Sequence, residues 1–273
     1  MTPDREPARA TTRAHARFLG ERTWPEVQSA IARNAGVILP IGATEQHGPH
    51  LPLNTDVVLP TEVALAVAEP LDLLVAPALA YGSRSRPLSG GGQGFVGTTS
   101  LRGPTFIALI TDVLSEWLRH GFRRLAVLNW HWENHNFVYE GAYEALELRT
   151  RTDARIAVME SPFGQLSPET MNTLYPEGFP GWEPEHASIL ETSLMMHLRP
   201  DLVREELMID DAAARSPWYD VLPTPDDFVP TSGVLWKATQ ATREKGELAW
   251  GEIVEGVSQA LVKDLPRTRS DDA

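Results

Sequence analysis

Carboxylate and imidazole side chains follow two apolar segments of the chain at similar spacing. The apolar segment 36–42 leads into a Glu-x-His pair, and the apolar segment 123–130 leads into a His-x-Glu pair. With one further aspartate, the two stretches supply five possible metal ligands: Glu45, His47, Asp56, His131 and Glu133. Side chains two residues apart on an extended segment point to the same side, so each pair can converge on one point.

Five protein ligands are more than one catalytic metal ion normally takes, because such an ion keeps a coordination position open. Two ions that share a bridging carboxylate account for all five, and ions about 3.5–4 Å apart can hold a hydroxide between them. The 273-residue chain has no cysteine, which excludes thiolate ligands and a cysteine nucleophile. Imidazole and carboxylate ligands suit zinc, manganese or a similar divalent ion. His50 lacks such a partner and is predicted to be structural.

Strands and helices must position these side chains. The sequence alternates short apolar runs with amphipathic stretches, a pattern typical of βα units. Strands are predicted at 36–42, 73–82, 123–130 and 155–160. Helices are predicted from near Leu59, at 104–121, at 137–148, up to about Leu198, and at 245–262. The prediction is a single α/β domain over residues 18–263 with a mainly parallel β-sheet flanked by helices, between a loosely ordered arm (1–17) and a tail (264–273). Both ligand pairs fall beyond strand ends, where open parallel sheets bind ligands.

The composition argues against several classes of partner. The formal net charge of −13 repels nucleic acid and anionic membranes, so neither is expected as a partner. No apolar run approaches the roughly 20 residues of a membrane helix, and the first residues lack the apolar centre of a signal peptide. The absence of cysteine fits a cytoplasmic protein. The glycine-rich segment 83–101 lacks the lysine of a phosphate-binding loop. Its glycines allow close backbone approach or positive φ, although a flexible surface loop is the more frequent structure of such segments.

Several stretches resemble the creatininase family of amidohydrolases. "GATEQHGPHLPLNTD" and "LNWHWEN" are similar to its two metal motifs, and "LYPEGFPGWEPEHASILETSLM" is a more specific match. The resemblance extends from about Phe18 to Val262. It implies a parallel-sheet α/β fold, assembly as a homohexamer, and hydrolysis of a small-molecule cyclic amide, with the reversible opening of creatinine to creatine as the first candidate.

The resemblance also implies roles for individual residues. Glu45 and His131 would bind one ion, His47 and Glu133 the other, and Asp56 would bridge them. The ions would be zinc, with manganese readily replacing one. The expected catalytic residues are His186 as acid/base, Glu191 as its supporting carboxylate, and Glu133. The residues expected to bind substrate are Trp132, Trp182 on a closing loop, Ser85 and Trp130.

Two departures from the family pattern leave the substrate open. Trp130 stands where the family usually has glycine, and "ESPFG" places Pro162 near a pocket tryptophan of the family, so one aromatic wall is expected to be lost. A different small cyclic amide, a formamide or a peptide amide therefore remains an alternative substrate, and a non-enzymatic metal-binding protein is a more distant one. A phosphoesterase is disfavoured because the sequence offers no evident Arg/Lys clamp for phosphate.

Overall fold

The computed structural model describes residues 17–149, 153–160, 162–212 and 218–267. Most of the predicted arm and tail lies outside these residues. One sheet is formed by β1 (Gly36–Ile41), β2 (Leu73–Val75), β3 (Arg124–Asn129) and β4 (Arg155–Glu160). The α-helices within the described ranges are α1 (Trp24–Ala32), α2 (Thr55–Ala68), α3 (Gly103–His120), α4 (His135–Arg149), α5 (Pro168–Leu174), α6 (Ile189–Leu198) and α7 (Arg243–Asp264). Among the described helices, none combines the length and apolar character needed to cross a membrane.

The four strands are parallel and lie in the order β2-β1-β3-β4. From β1 the chain passes outward to β2 on one side, then returns to place β3 on the other side of β1. Strands β1 and β3 are therefore central neighbours at the point where the strand order reverses. Ligands of open parallel sheets bind at such a reversal point, and both predicted ligand pairs follow these two strands.

Helices cover both faces of the sheet, because alternate residues of each strand point to opposite faces. Val37 and Leu39 of β1 belong to one apolar cluster with residues of α1, α3 and α4. Ile38, between them, belongs to the other cluster, with residues of α2, α6 and α7. Every residue of β1 and β3 is buried. This explains why these strands read as continuous apolar runs in the sequence.

β2 occupies only the first three residues of the stretch 73–82, which was predicted as a strand ending in a loop, and helix α2 begins before its predicted start near Leu59. β2 ends at Val75, since Pro77 has no N–H to continue the ladder. Helix α2 begins at Thr55 and contains Pro60, whose missing N–H leaves the carbonyl of Asp56 without a helical partner. A Cβ at Gly42 would lie only 2.1 Å from that carbonyl oxygen, so the end of β1 packs tightly on the first turn of α2. This contact brings Asp56 to the residues that follow β1.

A charged cluster lies at the opposite end of the sheet, where the chain enters β2. Asp72 has a positive φ of 48° and accepts hydrogen bonds from Arg17 (3.0 Å) and Arg33 (3.2 Å). Burial opposes its ionisation, but hydrogen bonds from the two arginines outweigh that effect and lower the pKa of Asp72. The cluster ties α1 and the segment before it to the start of the sheet.

Candidate metal centre

Asp56 belongs to one of two groups of potential metal ligands and also contacts the other. Its Oδ1 is 3.1 Å from His47 Nε2, and its Oδ2 is 3.2 Å from His131 Nδ1. The first group holds His47, His186 and Glu191, and the second holds Glu45, Asp56 and His131. All of these side chains are buried. The geometry places Asp56 where one carboxylate can serve two ions, one through each oxygen.

The two imidazoles next to Asp56 are oriented by backbone carbonyls on their outer nitrogens. His47 Nδ1 lies 3.2 Å from the carbonyl oxygen of Glu45, and His131 Nε2 lies 3.2 Å from that of Ser83. A proton on each outer nitrogen leaves the inner nitrogen with its lone pair directed at the carboxylates. Outer hydrogen bonds of this kind fix the tautomer of metal-binding histidines.

Several buried polar atoms at the centre have no hydrogen-bond partner among the described residues: His47 Nε2, Asp56 Oδ2 and Glu133 Oε2. Burial lowers the pKa of His131, but the neighbouring Glu45 and Asp56 carboxylates outweigh it and raise that pKa well above its ordinary value. Buried carboxylates are stabilised by nearby positive charge. Among the described residues that line the adjoining cavity there is no lysine or arginine to supply it. Divalent cations fit both the unpaired atoms and the charge.

The observed pairing of carboxylates with histidines differs from the one that the resemblance implies. Glu133 Oε2 lies 3.4 Å from His131 Nε2, whereas Glu191 Oε2 lies 3.6 Å from His47 Nε2. Glu191, expected to support the acid/base histidine, therefore occupies the position expected of Glu133 beside His47. Its hydrogen bond comes from the backbone amide of Ala187 at 2.8 Å. Ala187 has a positive φ of 53°, a conformation uncommon for alanine that turns the chain between His186 and α6.

Contacts with Gln46 fix the tautomer of His186. The side-chain N–H₂ of Gln46 donates to the carbonyls of Gly90 and Gly233, both at 2.9 Å, which uses both of its hydrogens. Gln46 thus has no hydrogen left for His186 Nε2, which lies 2.8 Å from the Gln46 backbone oxygen. His186 Nε2 must donate to that oxygen, and Nδ1 becomes the basic nitrogen. Gln46 lies within the first motif, yet the spacing of ligand-type residues gave no reason to select it.

The first half of the glycine-rich segment 83–101 lies against the metal centre, so close backbone approach, and not a flexible surface loop, describes it. Ser85 Oγ donates to Glu45 Oε1, and Ser89 Oγ donates to Glu133 Oε1. Ser85 was expected to bind substrate. It contacts a candidate metal ligand and is absent from the residues that line the cavity. A Cβ at Gly92 would lie 2.5 Å from Glu45 Oε1, so glycine is needed for this approach.

A small cavity lies beside the two ligand groups, and four of its eleven lining residues are tryptophan or phenylalanine. Its lining residues are Asp56, Ser89, Trp130, His131, Trp132, Glu133, Phe163, Trp182, Glu185, His186 and Glu191. Phe163 stands between Trp130 (ring centroids 5.2 Å apart) and Trp182 (4.8 Å apart). The expected loss of an aromatic wall was therefore wrong, since the residue after Pro162 supplies one. Trp132 is the most exposed of these aromatic residues, at 37%.

Two further buried residues are Glu185 and His50. Glu185 was not selected from the sequence, and His50 was given a structural role only. Glu185 accepts hydrogen bonds from Tyr175 Oη (2.9 Å) and the amide of Leu190 (2.6 Å). Burial, together with the charge of Glu191, raises the pKa of Glu185 to about 8. Its place directly before His186 was the signal that could have identified it. His50 is buried with Nε2 2.9 Å from Thr192 Oγ1, and burial and nearby His47 lower its pKa to about 4, in keeping with the predicted structural role.

Known proteins share this sequence and fold. The sequence model of the family described as "Creatininase: Creatinine amidohydrolase" matches residues 20–261. The chain is 44% identical to creatinine amidohydrolase of Pseudomonas putida, covering 92% of this chain and 98% of the relative. It is 31% identical to the mycofactocin precursor peptide peptidase of Mycobacterium tuberculosis (strain ATCC 25618 / H37Rv), covering 91% and 92%.

Solved structures agree with the sequence comparison. A mutant creatininase complexed with creatine superposes with a TM-score of 0.88 at 43% identity, covering 92% of this chain and 99% of the other. A mutant of Zn-Zn type gives a TM-score of 0.88 at 43% identity, covering 91% and 98%. A structure described as creatininase Mn gives 0.87 at 42% identity, covering 92% and 99%. Each likeness covers more than nine tenths of this chain.

Proposed function

This chain belongs to the creatininase family, and we propose that it hydrolyses the ring amide of creatinine to give creatine, in a reversible reaction. The observation that carries the proposal is the position of Asp56. One oxygen of this carboxylate faces His47 and the other faces His131, beside a cavity that also contains His186. This is the arrangement that a two-metal amidohydrolase needs, with a candidate proton carrier within the same cavity.

We propose that Glu45, His131 and one oxygen of Asp56 hold one divalent ion. His47, Glu191 and the other oxygen of Asp56 would hold the second. Glu133, whose Oε1 is fixed by Ser89 and by the amide of Arg86 at 3.0 Å, keeps its other oxygen free beside His131. Zinc at both positions, or manganese at one, is supported by the relatives with zinc and manganese forms. Such ions, when bound, make water more acidic and polarise an amide carbonyl.

The residues of the chain divide the remaining work. A water oxygen forms the new bond to the ring carbonyl carbon, and the bond from that carbon to the ring nitrogen breaks. His186, with Nδ1 unprotonated, accepts a proton from the water and returns it to the departing nitrogen, which leaves His186 unchanged. Phe163 and Trp182 supply flat aromatic surfaces for a planar ring, and Trp132 stands at the exposed side of the cavity.

Ring opening of creatinine by the purified protein tests the proposal. The protein is loaded with zinc and manganese, its metal content is measured, and the reaction is followed by NMR. Conversion to creatine is the expected result, and a sample with both metals removed by chelation is the control. Intact metal content without conversion would refute creatinine as substrate and direct the search to another small cyclic amide or to a formamide. The 31% identity to a peptide peptidase makes a short peptide amide the next substrate to assay.

We also propose that residues 18–263 form the complete metallohydrolase domain and that it assembles as a homohexamer in the cytoplasm. Domain extent is supported by the matched residues 20–261. The hexamer follows from the family resemblance, and the cytoplasm from the absence of cysteine. Light scattering on the metal-loaded protein measures the assembly, and a mass far from six times 30.2 kDa would contradict a hexamer.

A further inference from the structure

Trp130 is a rigidly held residue directly before the candidate ligand His131. It is 3% exposed, and its backbone N–H donates to the carbonyl of Ile41 at 2.9 Å, which continues the pairing of β3 with β1. Its ring meets Phe163 edge to face, with an interplanar angle of 65°. Backbone and ring are thus both fixed, so the indole N–H has a defined direction.

The indole N–H of Trp130 has no acceptor in the part of the chain that the structure describes. Nε1 is buried, and no described residue accepts a hydrogen bond from it. The residue lines the cavity that also contains Glu133, Glu185 and His186, yet neither carboxylate reaches its N–H. A buried donor without a partner costs free energy, and the great majority of such groups in folded proteins are satisfied. A partner is therefore expected from a molecule that enters the cavity.

We propose that Trp130 is a specificity-determining residue whose indole N–H donates a hydrogen bond to the amide substrate. The acceptor is the carbonyl oxygen or an unprotonated ring nitrogen of the bound molecule. This inference rests on the proposed function, since it takes the cavity as the amide-binding site. Packing alone does not explain the indole N–H, because phenylalanine would also place an aromatic ring in the apolar cluster without burying an unpaired donor. Sites that hydrogen-bond a substrate discriminate against molecules that leave their polar groups unpaired.

Kinetics of Trp130→Phe test the inference, after wild-type turnover of creatinine has been measured. This variant keeps an aromatic ring and loses the N–H. We expect KM for creatinine to rise about 3- to 10-fold, the range of one neutral hydrogen bond, with metal content unchanged and kcat within about 2-fold. Trp250→Phe is the matched control, because Trp250 packs against the same apolar cluster and is absent from the cavity lining. Its KM should equal that of the wild type.

An unchanged KM in Trp130→Phe, or an equal rise of KM in Trp250→Phe, would overturn the inference. The proposed function would still stand, because the wild-type protein turns over creatinine. No wild-type turnover would instead refute the proposed function. A second measurement tests the hydrogen bond without a variant, in case Trp130→Phe does not fold. Wild-type protein labelled with ¹⁵N-tryptophan has eight indole N–H groups, and adding a creatine–creatinine mixture should move one buried indole proton downfield. Eight unchanged indole signals at saturating ligand would contradict the hydrogen bond.

Discussion

Asp56 is expected to be the side chain on which both ion positions depend. Its two oxygens lie 3.1 Å from His47 Nε2 and 3.2 Å from His131 Nδ1, so each ligand group takes one oxygen from it. Asp56→Ala removes both oxygens, so neither ligand group keeps its contact with this carboxylate. Loss of an outer-shell partner alone lowers metal affinity about 10- to 100-fold. We expect at least that loss at both positions together, with turnover reduced to background.

The assay is bound zinc per chain at a series of buffered free zinc concentrations, with circular dichroism as a check on folding. Glu45→Ala is the matched control, because Glu45 Oε2 lies 3.0 Å from His131 Nδ1 and Glu45 belongs to one group only. This control should weaken one ion and leave the other at wild-type affinity. If Asp56→Ala kept one ion at wild-type affinity, Asp56 would serve a single position, and the shared-carboxylate arrangement would be wrong.

Three further predictions concern the acid/base residue, the glycine-rich loop and the charged cluster. His186→Ala should keep both metals and the fold but lower kcat about 10²- to 10⁴-fold; near-normal rates in a steady-state assay would rule out the acid/base role. Gly92→Ala should weaken metal binding and activity, since its Cβ would lie 2.5 Å from Glu45 Oε1, whereas Gly94→Ala, with open space at its Cβ, should change neither in the same titration. Asp72→Asn, which tolerates the positive φ, should lower the free energy of unfolding by about 1–3 kcal/mol at pH 7. Because the folded-state pKa of Asp72 is lowered, this difference should shrink as pH falls below about 4, as urea unfolding at each pH can show; a difference that is constant with pH would contradict the ion pairs.

Buried parallel strands were the most predictable part of the fold. β1 and β3 were predicted within one residue of their observed ends, because residues covered on both faces form continuous apolar runs between polar loops. Helices α1 and α5 were missed, since short helices carry little periodic signal. Helix α5 has seven residues, and Glu252 of α7 stabilises its start through hydrogen bonds with Ser167 and Thr170. That support comes from a helix some 80 residues later in the chain.

The sequence by itself determined the kinds of ligand, the strand ends that carry them, and the family. These features are local: a Glu-x-His pair and a His-x-Glu pair each follow one apolar run, and parallel strands bring their carboxyl ends to one edge. Only the tertiary structure decided that Glu191 lies beside His47, that Phe163 forms an aromatic wall, and that Ser89 holds Glu133. Each of these contacts joins segments from different loops and helices. The distances between these side chains depend on how helices pack across the sheet. Residue types and their spacing along the chain do not specify that packing.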